Sequence, residues 1–109
     1  MQIFNMADAL SRAGDDKEFL LQLINYLQNT YLVYINRAAE SIEADNLSSA
    51  SKEIHSLKGA LLNLGAEKAG HCAKEIEAAL KANENKIDLD QLKALVEEFL
   101  HYANQQLNS

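Results

Sequence analysis

Residues 47–64 read LSSASKEIHSLKGALLNL, and this stretch decides the fold. Its apolar residues recur at alternating steps of three and four, which places them on one face of an α-helix. Gly65 follows the last of them and suits the left-handed turn that ends many helices. We therefore predict one amphipathic helix, with an apolar face made by Leu47, Ala50, Ile54, Leu57, Leu61 and Leu64.

The same periodicity extends through the segments on both sides of this helix. Residues 16–44 repeat the pattern over about 43 Å of helix. Residues 69–80 and 92–107 each carry a further apolar face, separated by a polar loop at residues 83–86. Four long helices with short connections bury such faces best as a bundle. We predict an all-α fold, an antiparallel, up-down-up-down four-helix bundle with a short extra N-terminal helix capped by Asn5.

Length and composition exclude several other classes of protein. At roughly 150 residues per domain, the 109 residues form a single domain spanning 1–109. The chain has no proline and 4 glycines, too few turn-forming residues for a β-sandwich or barrel. No apolar run approaches the roughly 18 residues of a transmembrane helix, and residues 1–7 do not resemble a signal peptide. Because the single cysteine, Cys72, fits a reducing compartment, we expect a cytoplasmic protein with no membrane insertion.

The charge balance and the histidine spacing exclude two kinds of ligand. With 10 basic and 16 acidic residues, the net charge is −6, so the chain repels phosphate backbones and nucleic acid is not an expected partner. The histidines, at positions 55, 71 and 101, form no pair at metal-ligand spacing. We expect no metal site and no cofactor bound by this chain.

One flank of the helix at 47–64 carries the candidate site. At about 100° per residue, His55 lies about 120° from the centre of the apolar face and is predicted to be exposed. Ser51, Lys58, Gly59 and Leu62 share this strip, and Lys52 lies farther round the helix.

The composition of this strip indicates phosphoryl transfer. A glycine inside a helix costs roughly 1 kcal/mol relative to alanine, a cost that close approach of another molecule at Gly59 would offset. Leu62 offers an apolar contact outside the core. A neutral imidazole is a nucleophile near pH 7, and Lys58 can reach a phosphoryl group placed on His55. Because no glycine-rich phosphate loop is present, the chain is predicted to accept and pass on a phosphoryl group, not to make one from ATP.

These residues also carry a family resemblance. The stretch from His55 to Gly59, HSLKG, is followed at a fixed distance by Gly65-Ala66 and then by Cys72 and Glu77. This pattern, with the long second helix, resembles the histidine-containing phosphotransfer (Hpt) domain over nearly the whole chain. Gly70, which interrupts the fourth helix, departs from the family pattern.

The resemblance implies a role for each residue of the strip. It implies that His55 accepts a phosphoryl group, that Lys58 stabilises it and that Gly59 leaves room for the partner. The expected partners are response-regulator receiver domains, which would supply Mg²⁺ and most catalytic groups, and a hybrid sensor histidine kinase. Ser51, Lys52 and Leu62 are the expected partner-binding residues, and we expect a monomer because this strip must stay accessible.

Other interpretations remain open from the sequence. The chain is alternatively the phosphotransfer module of a chemotaxis-type histidine kinase, or a helical adaptor that is not phosphorylated. The adaptor would use the same surface of Leu62 and lysines to bind a partner helix. Separately, individual residues of the strip have structural alternatives: Lys58 pairs with an acidic residue of the next helix, Gly59 permits close helix packing, and Leu62 is buried by the first helix. The four tyrosines are interpreted as packing residues: Tyr26, Tyr31, Tyr34 and Tyr102.

Overall fold

The fold is all-helical. The computed structural model describes residues 1–84 and 86–108, and within those ranges it contains helices and connecting turns but no strand. Asn85, part of the polar loop expected at residues 83–86, lies outside the described residues. The helices are α1 (Met6–Arg12), α2 (Lys17–Glu43), α3 (Leu47–Asn63), α4 (Glu67–Lys81) and α5 (Leu89–Leu107). The predicted all-α class, with a short first helix, is confirmed.

Side-chain caps and two glycines set the helix boundaries. Gly14 and Gly65 follow α1 and α3 with φ of 70° and 73°, in the left-handed region that glycine enters without strain. The carbonyl of Gly65 also accepts a hydrogen bond from the backbone N–H of Asn5 at 2.8 Å, which fixes the N-terminal segment against the end of α3. The residues whose side chains cap the helix N-termini are Asn5, Asp16, Asn46 and Asp88.

One cluster of buried residues forms the core, and the apolar faces expected from the sequence supply most of it. The core also includes Ile35 of α2, one turn after the buried Tyr31, and Leu100 of α5, next to the buried Phe99. Each of these helices packs against more than one neighbour, so its buried arc is wider than a single stripe. Leu47 and Leu95, at the edge of the core, are only partly buried.

The packing order determines which helix surfaces stay open. α3 packs against α2 and α4, and α5 packs against the same two helices from the other side of the core. The flank of α3 that carries His55 therefore faces outward, next to α4. Over residues 1–84 and 86–108, none of the helices has both the length and the apolar character needed to cross a membrane.

Candidate functional site

His55 projects from the open flank of α3. Its side chain is 66% exposed, which confirms the exposure predicted from the helical spacing. One ring nitrogen is nonetheless fixed, because Nδ1 lies 2.9 Å from Oε2 of Glu77 on α4. This contact orients the ring and leaves Nε2 as the nitrogen available to a partner.

Glu77 is a buried acid that joins α3 to α4. Its side chain is only 6% exposed, and it accepts hydrogen bonds from Lys58 Nζ at 2.7 Å and from Lys81 Nζ at 3.1 Å. Burial raises the pKa of Glu77, but the hydrogen bonds from Lys58, Lys81 and His55 outweigh burial and lower that pKa to about 2. Glu77 is therefore ionised at neutral pH.

The ionised state of Glu77 determines the tautomer of His55. A carboxylate has no proton to donate, so it can only accept hydrogen bonds. His55 Nδ1 must then carry the proton in its contact with Glu77, and in the neutral ring Nε2 keeps a free lone pair. The arrangement produces an exposed nucleophilic nitrogen on an oriented ring.

The structure tests the structural alternatives for Lys58 and Gly59, and the two outcomes differ. Lys58 pairs with Glu77 and its side chain is only 20% exposed, so the alternative that it pairs with an acid of the next helix is confirmed. At Gly59 the structural alternative fails. Apart from the helix itself, no atom of residues 1–84 and 86–108 lies within 4 Å of the position a Cβ would take at Gly59. The alternative that Gly59 permits close helix packing is wrong.

Ser51 does not lie on the exposed strip as predicted. It is only 7% exposed, because α4 covers this side of α3 and extends the buried arc past the predicted apolar face. Lys52 is exposed. A cleft of about 400 Å³ opens between the two helices, and it is lined by Ser51, Lys52, His55, Ser56, Glu77 and Lys81.

Leu62 is an exposed apolar residue on the same helix. It is 41% exposed, so the alternative that α1 buries it is wrong. Its side chain lies over Gly70, where a Cβ would stand 2.5 Å from Leu62 Cδ2. Gly70 lies within a continuous α4, so the expectation that it interrupts this helix is wrong; the absence of a side chain there makes room for Leu62.

α2 adds a second exposed apolar surface beside α3. Leu23 lines a cleft together with Asn63, the neighbour of Leu62 in the chain. Tyr26 is one turn farther along α2 and is largely exposed, so its interpretation as a packing residue is wrong. The exposed apolar residues on this face of α2 are Phe19, Leu23, Tyr26 and Val33. We call these four residues and Leu62 the apolar surface.

Two residues at the site were not singled out from the sequence as site residues. Glu77 was noted only within the family pattern, and Lys81 was not noted. Both lie on α4, and their place next to His55 depends on how α4 packs against α3. The sequence signal for these two site residues is their spacing, because Glu77 and Lys81 lie one turn apart on the same helix. Within residues 1–84 and 86–108, no group of three or more histidine, cysteine or acidic side chains is arranged to hold a metal ion.

A comparison with family models identifies the kind of protein to which this site belongs. The model of the Hpt domain matches residues 17–106. The chain belongs to the Hpt domain family. Hpt domains are phosphocarriers, not enzymes, and they carry out histidine phosphotransfer in two-component systems. The match includes α2 to α4 in full and most of α5, and therefore both helices that form the His55 site. No curated protein and no solved structure matches the chain.

Proposed function

We propose that this Hpt domain carries a phosphoryl group on His55 and exchanges it with the aspartate of response-regulator receiver domains in a multistep phosphorelay. The observation that carries the proposal is the state of the His55 ring. Nδ1 is hydrogen-bonded to a buried, ionised Glu77, so in the neutral ring of this exposed side chain Nε2 has the free lone pair.

The transfer step follows from this tautomer. The Nε2 lone pair attacks the phosphorus of the receiver's aspartyl phosphate, the N–P bond forms, and the P–O bond breaks with its electron pair left on the aspartate carboxylate. No proton has to leave Nε2. The ring keeps its Nδ1 proton and gains positive charge, which Glu77 stabilises through the existing 2.9 Å contact. The reverse step returns the phosphoryl group to a receiver.

The rest of the site supports a carrier, with the remaining chemistry supplied by the partner. Lys58 places a positive charge one helical turn from His55, where it offsets the charge of the phosphoryl group. Gly59 leaves open space beside the ring for the receiver. The receiver would provide Mg²⁺ and most of the catalytic groups, so this chain needs no cofactor of its own and no kinase activity.

The surface around His55 supports docking of a receiver domain. The apolar surface, centred on Leu62 and α2, offers a contact area beside the histidine. Lys52 adds a cation in the cleft beside His55. Ser51 would take part only through the cleft it lines with His55, since it is otherwise buried.

The proposal also covers the topology of the helices, the number of domains, the location of the protein and its oligomeric state. Ser41, near the end of α2, contacts Ser49, near the start of α3, and Leu23, early in α2, lines a cleft with Asn63, the last residue of α3. His55, midway along α3, contacts Glu77, in the later part of α4. These contacts support the up-down-up-down bundle expected from the sequence, formed as one domain. We further propose that the protein acts as a cytoplasmic monomer, since a partner must reach the open flank of α3.

The test is intact-mass analysis at alkaline pH, where phosphohistidine survives. The protein is mixed with Mg²⁺ and a panel of receiver domains phosphorylated by acetyl phosphate, alongside the variants His55→Gln and His101→Gln. We expect one phosphate adduct on the wild type and on His101→Gln, and none on His55→Gln. An adduct of equal size on a folded His55→Gln variant would overturn the assignment. Absence of an adduct with every receiver, together with receiver binding that survives His55→Gln, would favour an adaptor.

A further inference from the structure

Lys81 is a second lysine at the site, and the transfer step described above does not use it. It is the last residue of α4 and lies one turn after Glu77. Its Nζ is 3.1 Å from Glu77 Oε2, the same oxygen that lies 2.9 Å from His55 Nδ1. Because both contacts share one atom, Lys81 Nζ and His55 Nδ1 are at most about 6 Å apart, and Nε2, the nitrogen proposed to carry the phosphoryl group, lies across the ring from Nδ1.

The charges at the site leave one lysine in excess. Glu77 carries one negative charge, and one lysine is enough to compensate it. Lys58 is the better counter-ion, because its contact is shorter, at 2.7 Å, and its side chain is 20% exposed. The Lys81 side chain is 66% exposed, and it makes the longer contact. Lys81 can therefore leave Glu77 without leaving a buried charge uncompensated.

The position of Lys81 also fits a bound phosphoryl group. Lys81 lines the cleft of about 400 Å³ beside His55, whereas Lys58 is not among the lining residues. A phosphoryl group adds close to two negative charges and three strong acceptor oxygens. The exposed end of a long, flexible lysine is well suited to follow such a group when it arrives.

We propose that Lys81 is a second phosphoryl-binding cation of this Hpt domain. When His55 is phosphorylated, the Lys81 ammonium moves from Glu77 Oε2 to the phosphoryl oxygens, while Lys58 keeps Glu77 paired. The inference rests on the proposed function of His55. The two lysines then act differently: Lys58 stays on Glu77, the carboxylate that orients the ring, and offsets the phosphoryl charge from there, whereas Lys81 contacts the phosphoryl group itself.

The test measures the equilibrium of phosphoryl transfer between a receiver domain and His55. This equilibrium constant depends only on the free phosphorylated and unphosphorylated species, so it does not depend on how the receiver docks. The variants are Lys81→Gln, Lys81→Arg and, as a matched loss of charge, Lys93→Gln, which is exposed on α5. We expect Lys81→Gln to lower the constant about fivefold at low salt, since contacts of this kind are modest at an exposed site. Lys81→Arg should restore most of it, and Lys93→Gln should leave it unchanged.

Two further readouts separate direct contact from an effect on Glu77. The difference between wild type and Lys81→Gln should shrink in about 1 M NaCl, because salt screens an exposed ion pair. The ¹⁵N shifts of the His55 ring in the unphosphorylated protein should be the same in both, because Lys58 still holds Glu77. An equilibrium constant that is the same in wild type and Lys81→Gln would overturn the role of Lys81. So would ¹⁵N shifts of the unphosphorylated His55 ring that differ between the two proteins, because the effect would then act through Glu77. Absence of phosphorylation on wild-type His55 would instead refute the proposed function.

Discussion

Replacement of Gly59 by alanine should make the protein more stable and a poorer phosphocarrier. Gly59 lies within α3, and no atom of the described residues outside that helix lies within 4 Å of the new Cβ. The methyl group therefore meets no obstacle in the free protein. An exposed alanine in a helix is favoured over glycine by roughly 1 kcal/mol. At about 2.1 cal/mol/K per residue, the unfolding entropy of a chain of this size converts that gain into a rise in Tm of about 4 °C.

The effect on transfer has the opposite sign. If the receiver closes over Gly59, the added methyl group displaces it from His55, and a misplacement of about 1 Å can slow a reaction as much as 100-fold. We expect transfer from a phosphorylated receiver to slow by about tenfold or more.

Thermal unfolding followed by circular dichroism measures the stability, and the rate of loss of phosphate from the receiver measures the transfer. Asn36→Ala is the control, because Asn36 is exposed on α2 and the substitution also improves helix propensity. It should raise Tm without slowing transfer. A Gly59→Ala variant that is less stable, or that transfers at the wild-type rate, would refute the argument that Gly59 provides clearance.

Three further predictions concern the buried acid and the apolar surface. Burial raises the pKa of Glu77, but the surrounding hydrogen bonds outweigh burial and lower that pKa to about 2. The stability contributed by ionised Glu77 is therefore present above the ordinary carboxyl pKa of 4.5 and is lost as the pH falls toward 2. Urea unfolding should show that the stability of wild type relative to Glu77→Gln falls by about 2 kcal/mol between about pH 6 and pH 3, and parallel pH profiles would contradict this. Tyr26→Ser should weaken receiver binding about tenfold in calorimetric titrations with little change in Tm, since Tyr26 is largely exposed, and an unchanged affinity would remove α2 from the interface. Gly70→Ala should raise the free energy of unfolding by about 1 kcal/mol in a Leu62→Ala background but by much less in the wild type, where the new Cβ displaces the Leu62 side chain. Equal gains in both backgrounds would show that the contact between Leu62 and residue 70 is unimportant.

The helices and their ends could be predicted from local signals in the sequence. A repeat of apolar residues at steps of three and four reports on one helix alone, and so do a capping asparagine and a glycine at a helix end. Asn5 and Gly65 show this, since Asn5 caps α1 and Gly65 follows the end of α3, as the sequence predicts. The exposure of His55 could be predicted for the same reason, because it depends on the angle of that residue around its own helix.

The errors arise where a second helix decides the outcome. Ser51 lies outside the apolar face of α3, yet it is buried, because α4 covers that side of the helix. Tyr26 has the side chain of a packing residue, yet no neighbouring helix covers it. Glu77 acts on His55 only through the register between α3 and α4, which the spacing within either helix does not contain.

The pairing of Lys58 with Glu77 reconciles two interpretations that the sequence left as alternatives. A lysine one turn from His55 is either a surface cation that serves the phosphoryl group or half of an ion pair between helices. Glu77 is buried, and Lys58 is its closer and less exposed counter-ion, so removal of Lys58 would leave only the exposed Lys81 to compensate the buried charge. Lys58 is therefore needed by the fold, and through Glu77 it also fixes the tautomer that makes His55 Nε2 nucleophilic. The contact between Lys58 and Glu77 therefore serves both the fold and the chemistry. Loss of Lys58 should impair stability and phosphoryl transfer together.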